Sequence, residues 1–330
     1  MKKIGVNGFG RIGRYFTRLS LLEKDLEVAV VNDLADINTL AHLFKYDSIH
    51  RKLQTPFKIE GDAIVFENGK KIIFTKHKNP ADIPWGKYGV EYVLESTGIF
   101  KTEEKASLHF QGGAKKVIIS APSPDDQVKT IVIGVNDEIL TNEDRIISNA
   151  SCTTNSGAPL IKVFTEICEI ESAYLTTVHS YTSDQRLHDA PHSDLRRARA
   201  AAESIVPTST GAAKALTKIF PELDGKMGGA GIRVPVPNGS LTDLTITVKG
   251  VPPTVEEINA IFKKASENEL KGVLSYTEDP IVSVDIIGDP HSCIFDSQLT
   301  SVVGNLVKLV GWYDNEAGFS NRLIDLFKKV

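Results

Sequence analysis

The sequence predicts an α/β protein of two domains: a doubly wound parallel sheet, followed by an α+β domain whose sheet is mostly antiparallel. Three observations support this. Apolar strands alternate with helical segments in the first half, a glycine-rich turn follows the first strand, and strands with alternating threonines mark the second half. The 330 residues suffice for two domains. We place them at 1–150 and 151–315, with a last helix at 316–330 that packs back on the first.

The first strand ends in a glycine-rich turn. The pattern G-x-G-x-x-G occupies Gly8, Gly10 and Gly13, and apolar residues at helical spacing follow it. These glycines suit a tight turn, close approach of the backbone to a pyrophosphate, and close helix packing, respectively. A second apolar strand ends just before Asp33, where a carboxylate binds a ribose 2′-OH and repels a 2′-phosphate. The pattern is typical of a Rossmann-type domain that binds NAD in preference to NADP.

The rest of the first half predicts the remaining elements of this sheet. Polar loops follow two of its strands, one of them at Ser120, at the edge where open α/β sheets bind ligands. A turn-rich stretch from about 47 to 75 predicts an inserted hairpin. We expect strands at 92–96, 117–120 and 131–133, and helices near 36–45 and 101–111.

The second domain opens with a cysteine at a predicted helix start. Cys152 lies within the polar run 148–155, just before an apolar helical stretch. A helix N-terminus favours a thiolate and offers N–H donors to an oxyanion, so this position suits covalent catalysis on a carbonyl. The alternative is a small buried hydrophobic cysteine, which is the commonest fate of a free thiol.

A histidine at a strand end is the candidate partner for this thiol. His179 ends the predicted strand that begins at residue 174, and an imidazole within reach of a thiol can accept its proton. His188, His192 and His291 compete for the same role. Only the position at the strand end favours His179.

Arginines and hydroxyl-rich turns in the second half predict binding of phosphate. The stretch from 180 to about 204 is dense in charge and has no clear core pattern, which is typical of a functional or a solvated loop. Residues 208–211 form a hydroxyl-rich helix start, and Arg233 lies within an apolar strand, where its charge needs a partner. A guanidinium can bind two phosphate oxygens at once, so we expect phosphorylated substrates.

The remainder of the chain predicts an antiparallel sheet with covering helices. Thr254 and Glu257 form a capping box before an apolar helical face. An amphipathic helix closes the sequence. Strands are expected at 281–287, 291–303 and 306–312.

Composition narrows the class of protein. The formal net charge of −4 gives no general attraction to nucleic acid or anionic lipid, and no apolar tract is long enough to span a bilayer. Three cysteines without CxxC or Cys/His spacing indicate neither a disulfide framework nor a metal site. With no export signal visible, we expect a cytoplasmic protein with no membrane role and no primary nucleic-acid role.

Five motifs in order resemble the phosphorylating glyceraldehyde-3-phosphate dehydrogenase family, and the match runs end to end. The resemblance implies conversion of D-glyceraldehyde 3-phosphate, NAD and inorganic phosphate to 1,3-bisphosphoglycerate and NADH, through a cysteine hemithioacetal and a thioester. It also implies a homotetramer. The motifs are residues 7–13, 148–155, 177–182, 207–214 and 312–316.

The resemblance also implies roles for particular residues. Cys152 is similar to the nucleophile and His179 to the base, while Thr182 and Arg233 resemble the site for the substrate's C3 phosphate. The neighbourhood of the attacking phosphate is matched by Ser151, Thr153, Arg197, Thr210 and Gly211. Matches to cofactor contacts are Gly8, Gly10, Arg11, Ile12, Gly13, Asp33, Lys78, Ser120 and Asn315, the last holding the nicotinamide carboxamide.

Three positions depart from the usual family pattern. Lys78 stands where arginine is frequent, Ser156 where a second cysteine is usual, and Phe319 where tyrosine is frequent. Two other interpretations remain at this point: a dehydrogenase for another phosphosugar aldehyde such as erythrose 4-phosphate, and a non-catalytic NAD-binding regulator on the same scaffold.

Overall fold

The computed structural model describes residues 1–330, and the chain divides into two compact units. Unit 1 contains Met1–Ile131, Glu138–Ala150 and Ser320–Val330, and unit 2 contains Val132–Asp137 and Ser151–Phe319. Each unit is built on a sheet of its own. None of the helices is both long and apolar enough to cross a membrane.

Unit 1 is a largely parallel sheet with helices in its connections. Its strands are β1 (Lys2–Asn7), β2 (Leu26–Asn32), β3 (Phe57–Glu60), β4 (Ala63–Phe66), β5 (Lys71–Thr75), β6 (Tyr92–Glu95), β7 (Lys116–Ile119), β8 (Lys129–Thr130) and β9 (Ile146–Ser148). Its helices are α1 (Arg11–Ser20), α2 (Ile37–Lys45) and α3 (Glu103–Ser107). The order is β3-β4-β5-β2-β1-β6-β7-β9-β8, and only β3, β4 and β5 pair in antiparallel fashion. The predicted doubly wound parallel sheet is confirmed.

The turn between β1 and α1 is held by glycine geometry and by aromatic packing. Gly8 has φ +94°, in the left-handed region. A Cβ on Gly13 would lie 2.2 Å from the Gly8 carbonyl oxygen, so the helix packs closer than any side chain permits. Phe9, within the turn, is buried, and its ring centroid lies 5.5 Å from those of both Phe44 and Phe74. The hydrophobic core therefore anchors the loop.

Unit 2 is a mostly antiparallel sheet with helices on one face. Its strands are β10 (Ile170–Ser180), β11 (Val206–Thr208), β12 (Met227–Val234), β13 (Ser240–Val248), β14 (Leu274–Thr277), β15 (Cys293–Asp296), β16 (Ser301–Val303) and β17 (Leu306–Tyr313). The helices are α4 (Cys152–Thr165), α5 (Ala212–Ile219), α6 (Val255–Glu267) and α7 (Ala317–Lys329), which continues into unit 1. The order is β11-β12-β10-β13-β17-β15-β14, with β16 beside β17, and only β10·β12 and β14·β15 are parallel. This confirms the predicted second sheet.

Helix α4 packs closely on the sheet of unit 2. A Cβ on Gly157 would lie 2.9 Å from the Leu175 side chain, so glycine lets the helix approach β10. Pro159 lies inside the helix, where it removes one backbone donor. Every residue from Thr153 to Leu160 is nevertheless buried, and this burial offsets the destabilising effect of the proline on the helix.

Two predicted strands are wrong, and a third, at 291–303, is interrupted by a 3-10 helix at Ser297–Leu299 that separates β15 from β16. Residues 131–133 follow the two-residue β8 and run into a turn at Gly134, where φ is +80°. The apolar run there reflects burial, not strand pairing. Residues 281–287 form turns instead of a strand, because the Asp285 carboxylate accepts a hydrogen bond from the Val282 N–H at 2.8 Å. The two valines at 282 and 284 are exposed.

Candidate active site

The start of α4 presents a thiol next to unpaired backbone donors. Ser151 caps the helix, since its Oγ accepts a hydrogen bond from the Thr154 N–H at 3.1 Å. Ala150, just before it, has φ 57°, a left-handed conformation that costs about 1–2 kcal/mol for a residue with a Cβ. This strained turn sets Cys152 as the first helical residue.

The structure brings Cys152 and His179 together. The sulfur lies 3.4 Å from His179 Nε2, within hydrogen-bond reach of a thiol. His192 and His291, which competed for this role, make their own contacts. Asp194 donates its N–H to His192 at 2.9 Å, and the His291 ring lies 2.8 Å from Asp289.

The second ring nitrogen of His179 faces a carbonyl. Nδ1 lies 2.7 Å from the Ser180 oxygen, and Arg233 Nη1 lies 2.7 Å from Nδ1 and donates to the same oxygen at 2.9 Å. A guanidinium only donates and a carbonyl only accepts, so Nδ1 accepts from Arg233 in one tautomer and donates to the Ser180 carbonyl in the other, which carries hydrogen on Nδ1. In that tautomer the lone pair of Nε2 is directed at the thiol and can receive its proton.

Burial disfavours the charged form of Cys152 and the charged form of His179 when each is considered alone. Burial raises the pKa of the Cys152 thiol, against the opposite influence of Arg233 and the Thr153 N–H. Burial and the charge of Arg233 lower the pKa of His179 to about 3. Transfer of the proton from sulfur to nitrogen creates two opposite charges 3.4 Å apart, whose attraction is about 5 kcal/mol at an effective dielectric of 20. The thiolate therefore depends on the imidazole beside it.

Three hydroxyl groups lie beside this pair. Tyr313 OH is 2.9 Å from Thr153 Oγ1 and 2.8 Å from Thr177 Oγ1, and its ring lies edge-on to His179 at 6.0 Å. Burial raises the pKa of Tyr313 and keeps it neutral. The place of Tyr313 beside the pair was not predicted from the sequence, because nothing in the local pattern distinguishes a tyrosine at the end of β17 from a core aromatic.

Arg233 is an arginine without an acidic partner. It lies on β12, and no carboxylate is within ion-pair distance of it. Its contacts are to the ring and carbonyl described above. Thr182 lies just beyond β10, and its hydroxyl makes no hydrogen bond within the chain. A half-buried guanidinium of this kind is suited to an anion.

Arg197 is held by acidic and hydroxyl groups. It pairs with Asp184, and its Nε donates to Thr208 Oγ1 at 2.9 Å. Close by in sequence, Thr210 Oγ1 accepts from the Ala212 N–H at 3.2 Å, and Gly211 begins α5 without a side-chain cap. Beyond the Ala212 N–H, which donates to Thr210, the N–H groups of the first turn of α5 are available to an anion.

In unit 1 the loop after β1 has the shape of a phosphate cradle. A Cβ on Gly10 would meet no atom within 4 Å, so there is open space beside Gly10, in contrast to the crowded position of Gly13. Asp33 accepts from the Phe9 N–H at 2.8 Å and the Ala35 N–H at 3.0 Å, which holds the carboxylate at the end of β2. These features fit a dinucleotide.

The other predicted cofactor residues of unit 1 differ in how they are held. Arg11 forms a two-point pair with Asp47 at 2.7 and 3.1 Å, and Ile12 follows it in the first turn of α1. Ser120 Oγ donates to the Glu95 carbonyl at 3.1 Å, and Lys78 is exposed. The Arg11–Asp47 pair was not predicted from the sequence.

This ion pair predicts a pH-dependent contribution to stability. Although burial raises it, the His50 N–H and Arg11 bring the pKa of Asp47 down to about 2. A folded-state pKa below the usual 3.8 gives stability that is present above about pH 4 and is lost as the pH falls towards 2. Asp47→Asn should cost about 1–2 kcal/mol at pH 7, since partial exposure of Arg11 screens the pair. Urea unfolding should show this difference roughly halved at pH 3; an equal cost at both pH values would contradict it.

Asn315, the predicted nicotinamide contact, lies in unit 2. Its Oδ1 accepts hydrogen bonds from Ser180 Oγ at 2.9 Å, Ser240 Oγ at 3.1 Å and the Gly239 N–H at 3.2 Å. The backbone donor fixes which end of the amide is oxygen. Its Nδ2 makes no hydrogen bond within the chain.

These features define a class: an enzyme with a dinucleotide-binding unit and a second unit that carries a cysteine–histidine pair beside anion sites. Comparison with known proteins agrees. The family model "Glyceraldehyde 3-phosphate dehydrogenase, NAD binding domain" matches residues 2–103, and the one for the C-terminal domain matches residues 151–315. The first match confirms the predicted cofactor, NAD.

Similar proteins cover nearly the whole chain. Glyceraldehyde-3-phosphate dehydrogenase 2 of Streptomyces avermitilis is 56% identical over 328 residues, 98% of this chain and 97% of the relative. The glyceraldehyde-3-phosphate dehydrogenase of Mycobacterium avium is 54% identical over 334 residues (99% and 98%), and that of Streptomyces coelicolor is 55% identical over 329 (98% and 97%). The chain belongs to the glyceraldehyde-3-phosphate dehydrogenase family.

Proposed function

We propose that this chain oxidises D-glyceraldehyde 3-phosphate with NAD and inorganic phosphate to 1,3-bisphosphoglycerate and NADH. The observation that carries the proposal is the 3.4 Å contact between Cys152 Sγ and His179 Nε2 at the start of α4. A thiol and a base in this arrangement suit acyl transfer through a covalent intermediate. The relatives are named glyceraldehyde-3-phosphate dehydrogenases, which supports this substrate.

The first step is attack by sulfur on the aldehyde carbon. His179 takes the thiol proton, the C–S bond forms, and the carbonyl oxygen becomes an oxyanion that the Cys152 N–H at the helix start stabilises. Protonation of that oxygen gives a hemithioacetal. Bound NAD supplies the acceptor for the hydride. His179 removes the hydroxyl proton as the C–H electron pair leaves, and a thioester remains on Cys152.

The second half of the reaction transfers the acyl group to phosphate. A phosphate oxygen attacks the thioester carbon, the C–S bond breaks, and its electron pair returns to sulfur. We assign the C3 phosphate of the substrate to Thr182 and Arg233. We assign the attacking phosphate to Ser151, Thr153, Arg197, Thr210 and Gly211. Arg233, which has no acidic partner, and the uncapped start of α5 support these assignments.

We assign NAD binding to residues of the glycine-rich loop, of strand ends and of the last predicted motif. The residues are Gly8, Gly10, Arg11, Ile12, Gly13, Asp33, Lys78, Ser120 and Asn315. The open space at Gly10 and the Asp33 carboxylate support a pyrophosphate and a ribose, respectively. The NAD-binding domain is then 1–150 together with the helix 316–330, and the catalytic domain is 151–315.

Two glycines of this loop should fail in different ways. Gly13→Ala places a Cβ 2.2 Å from the Gly8 carbonyl, so it should lower the free energy of unfolding by about 1–3 kcal/mol. Gly10→Ala meets no atom within 4 Å and should unfold like the wild type. It should still weaken NAD binding by at least about tenfold, because the pyrophosphate loses its approach to the backbone. Urea unfolding and NAD titration measure both; unchanged NAD affinity in Gly10→Ala would count against the assigned site.

We propose that the chain assembles as a homotetramer in a reducing, cytoplasmic compartment. One face of the unit 2 sheet is not covered by helices, and Tyr174 and Leu306 lie on it with 50% and 40% exposure. In the charged loop after β10, Leu187 and Leu195 are 71% and 81% exposed. Apolar surfaces of this kind suit contacts between copies. All three cysteines are free, as expected where thiols stay reduced.

The decisive experiment is a spectrophotometric assay of NADH formation. Glyceraldehyde 3-phosphate and erythrose 4-phosphate are supplied in turn, each with and without inorganic phosphate. We expect phosphate-dependent NADH formation that is faster with the triose phosphate. A faster rate with the four-carbon aldehyde would reassign the substrate, and no NADH with either would favour a non-catalytic NAD-binding protein.

A further inference from the structure

Ser180 uses all three of its polar groups in buried hydrogen bonds. It is fully buried at the end of β10, directly after His179. Its carbonyl faces His179 Nδ1 at 2.7 Å, its hydroxyl donates to Asn315 Oδ1 at 2.9 Å, and its N–H donates to Ser240 Oγ at 3.1 Å. One residue therefore contacts both the candidate base and the amide assigned to the nicotinamide.

These bonds also determine which way the amide of Asn315 points. The Gly239 N–H, which is shared with Asn238 Oδ1 at 2.8 Å, can only donate, so the atom of Asn315 that it contacts at 3.2 Å is the amide oxygen. Ser240 Oγ already accepts from the Ser180 N–H, so its single hydrogen is available for the same oxygen at 3.1 Å. With Oδ1 held by three donors, the N–H₂ group is the end left to donate to a ligand.

We infer that Ser180 is a positioning residue, which fixes the amide of Asn315 and the imidazole of His179 with respect to each other. The inference rests on the proposed function. A carboxamide that receives its hydrogen bond from a fixed N–H₂ is held in one orientation, so one face of the nicotinamide ring is presented to the substrate. Without the Ser180 hydroxyl, the amide of Asn315 can rotate and the ring loses this restraint.

The first test compares two ligands that differ only in the nicotinamide. Ser180→Ala should raise the Kd of NAD by about fivefold to tenfold, as expected for one buried hydrogen bond. ADP-ribose, which lacks the nicotinamide, should bind within about twofold of wild type, because its contacts do not include Asn315. Calorimetry measures the Kd of NAD and of ADP-ribose directly, and neither titration requires turnover.

A matched control separates positioning from loss of a buried hydroxyl. Thr242 is fully buried on β13, two residues from Ser240, and its hydroxyl donates to Ser156 at 3.0 Å. Thr242→Val removes that hydroxyl without touching Asn315, so NAD and ADP-ribose should bind as in wild type. If Ser180→Ala does not fold, Ser240→Ala removes another donor to the same oxygen and should shift NAD binding in the same direction.

The second test follows the face of the ring that receives hydrogen. With an aldehyde deuterated at C1, NMR of the reduced cofactor should show deuterium on one face of C4 for wild type and on both faces for Ser180→Ala. Adding Ser180→Ala to Asn315→Ala should cause no further loss of selectivity, since both act through the same amide.

The outcomes separate this inference from the proposed function. Three results would overturn the positioning role. These are equally weakened binding of NAD and ADP-ribose in Ser180→Ala, weakened binding of NAD alone in Thr242→Val, and an unchanged affinity of Ser180→Ala for NAD. Absence of NADH formation by the wild type would overturn the proposed function alone, because the comparison of NAD with ADP-ribose needs no reaction.

Discussion

Cys152→Ser should reduce turnover to below about one thousandth of the wild-type rate, because loss of a nucleophile removes the covalent route. The structure gives a reason why serine cannot replace it. Activation of Cys152 depends on transfer of its proton to His179 Nε2 at 3.4 Å, and a serine hydroxyl is a much weaker acid than a thiol, so the same imidazole leaves serine protonated. NAD affinity should stay within about twofold, since the side chain keeps its size. Initial rates of NADH formation and an NAD titration of the same preparation measure both effects.

The matched control is another cysteine of unit 2. Cys168 follows α4, and its sulfur contacts only the Glu169 carbonyl, at 3.9 Å. Burial raises its pKa, and no imidazole is placed to accept its proton. Cys168→Ser should therefore retain wild-type turnover. More than a tenth of wild-type turnover in Cys152→Ser, or an inactive Cys168→Ser enzyme, would exclude Cys152 as the sole nucleophile.

The fold was predictable from the sequence because its signals are local. The turn at Gly8 and Gly13 lies next to the strand that precedes it, and the strand of His179 alternates as a half-buried strand does. The start of α4 was marked in the same way by the polar run before it. Such features depend on residues within one or two turns of each other, so one sequence is enough to recognise them.

The contacts that complete the site were not predictable in this way. The hydrogen bond between Ser180 and Asn315 joins residues 135 positions apart, and the one between Thr153 and Tyr313 joins residues 160 apart. No spacing rule connects such pairs, because they meet only when β10, β13 and β17 are side by side. The pairing of His179 with Cys152 was predicted from a strand end and a resemblance, but the orientation of its ring depends on contacts with Ser180 and Arg233 that no local pattern shows.

The predicted ionisation of Cys152 differs from what the structure shows, because the sequence does not reveal how deeply the thiol is buried. The helix start alone predicts that the thiolate of Cys152 is favoured. In the folded chain, burial outweighs the helix start and raises the pKa of this thiol, so formation of the thiolate depends on transfer of its proton to His179. A sequence shows which residue starts a helix, but the loss of water around it is a property of the whole unit.

This dependence leads to the second prediction, that His179→Asn lowers kcat by about 10²–10⁴-fold, as removal of a general base commonly does. Reaction of Cys152 with iodoacetamide reports on the thiolate directly. In wild type the imidazole takes the thiol proton, so alkylation should proceed at neutral pH. In His179→Asn no base lies beside the sulfur, and the rate should rise only as the pH approaches the raised pKa of the thiol itself.

The matched control for this variant is His291→Asn, since His291 was a competing candidate and its ring pairs with Asp289 at 2.8 Å. It should keep both the turnover and the alkylation profile of wild type. Mass spectrometry of the labelled peptides identifies the cysteine that reacts. Cys293 is an internal reference, because burial raises its pKa to about 12 and it should stay unmodified in every variant. If His179→Asn left the pH profile of Cys152 alkylation unchanged, the imidazole would not be what activates the sulfur, and the 3.4 Å contact would be one of packing alone.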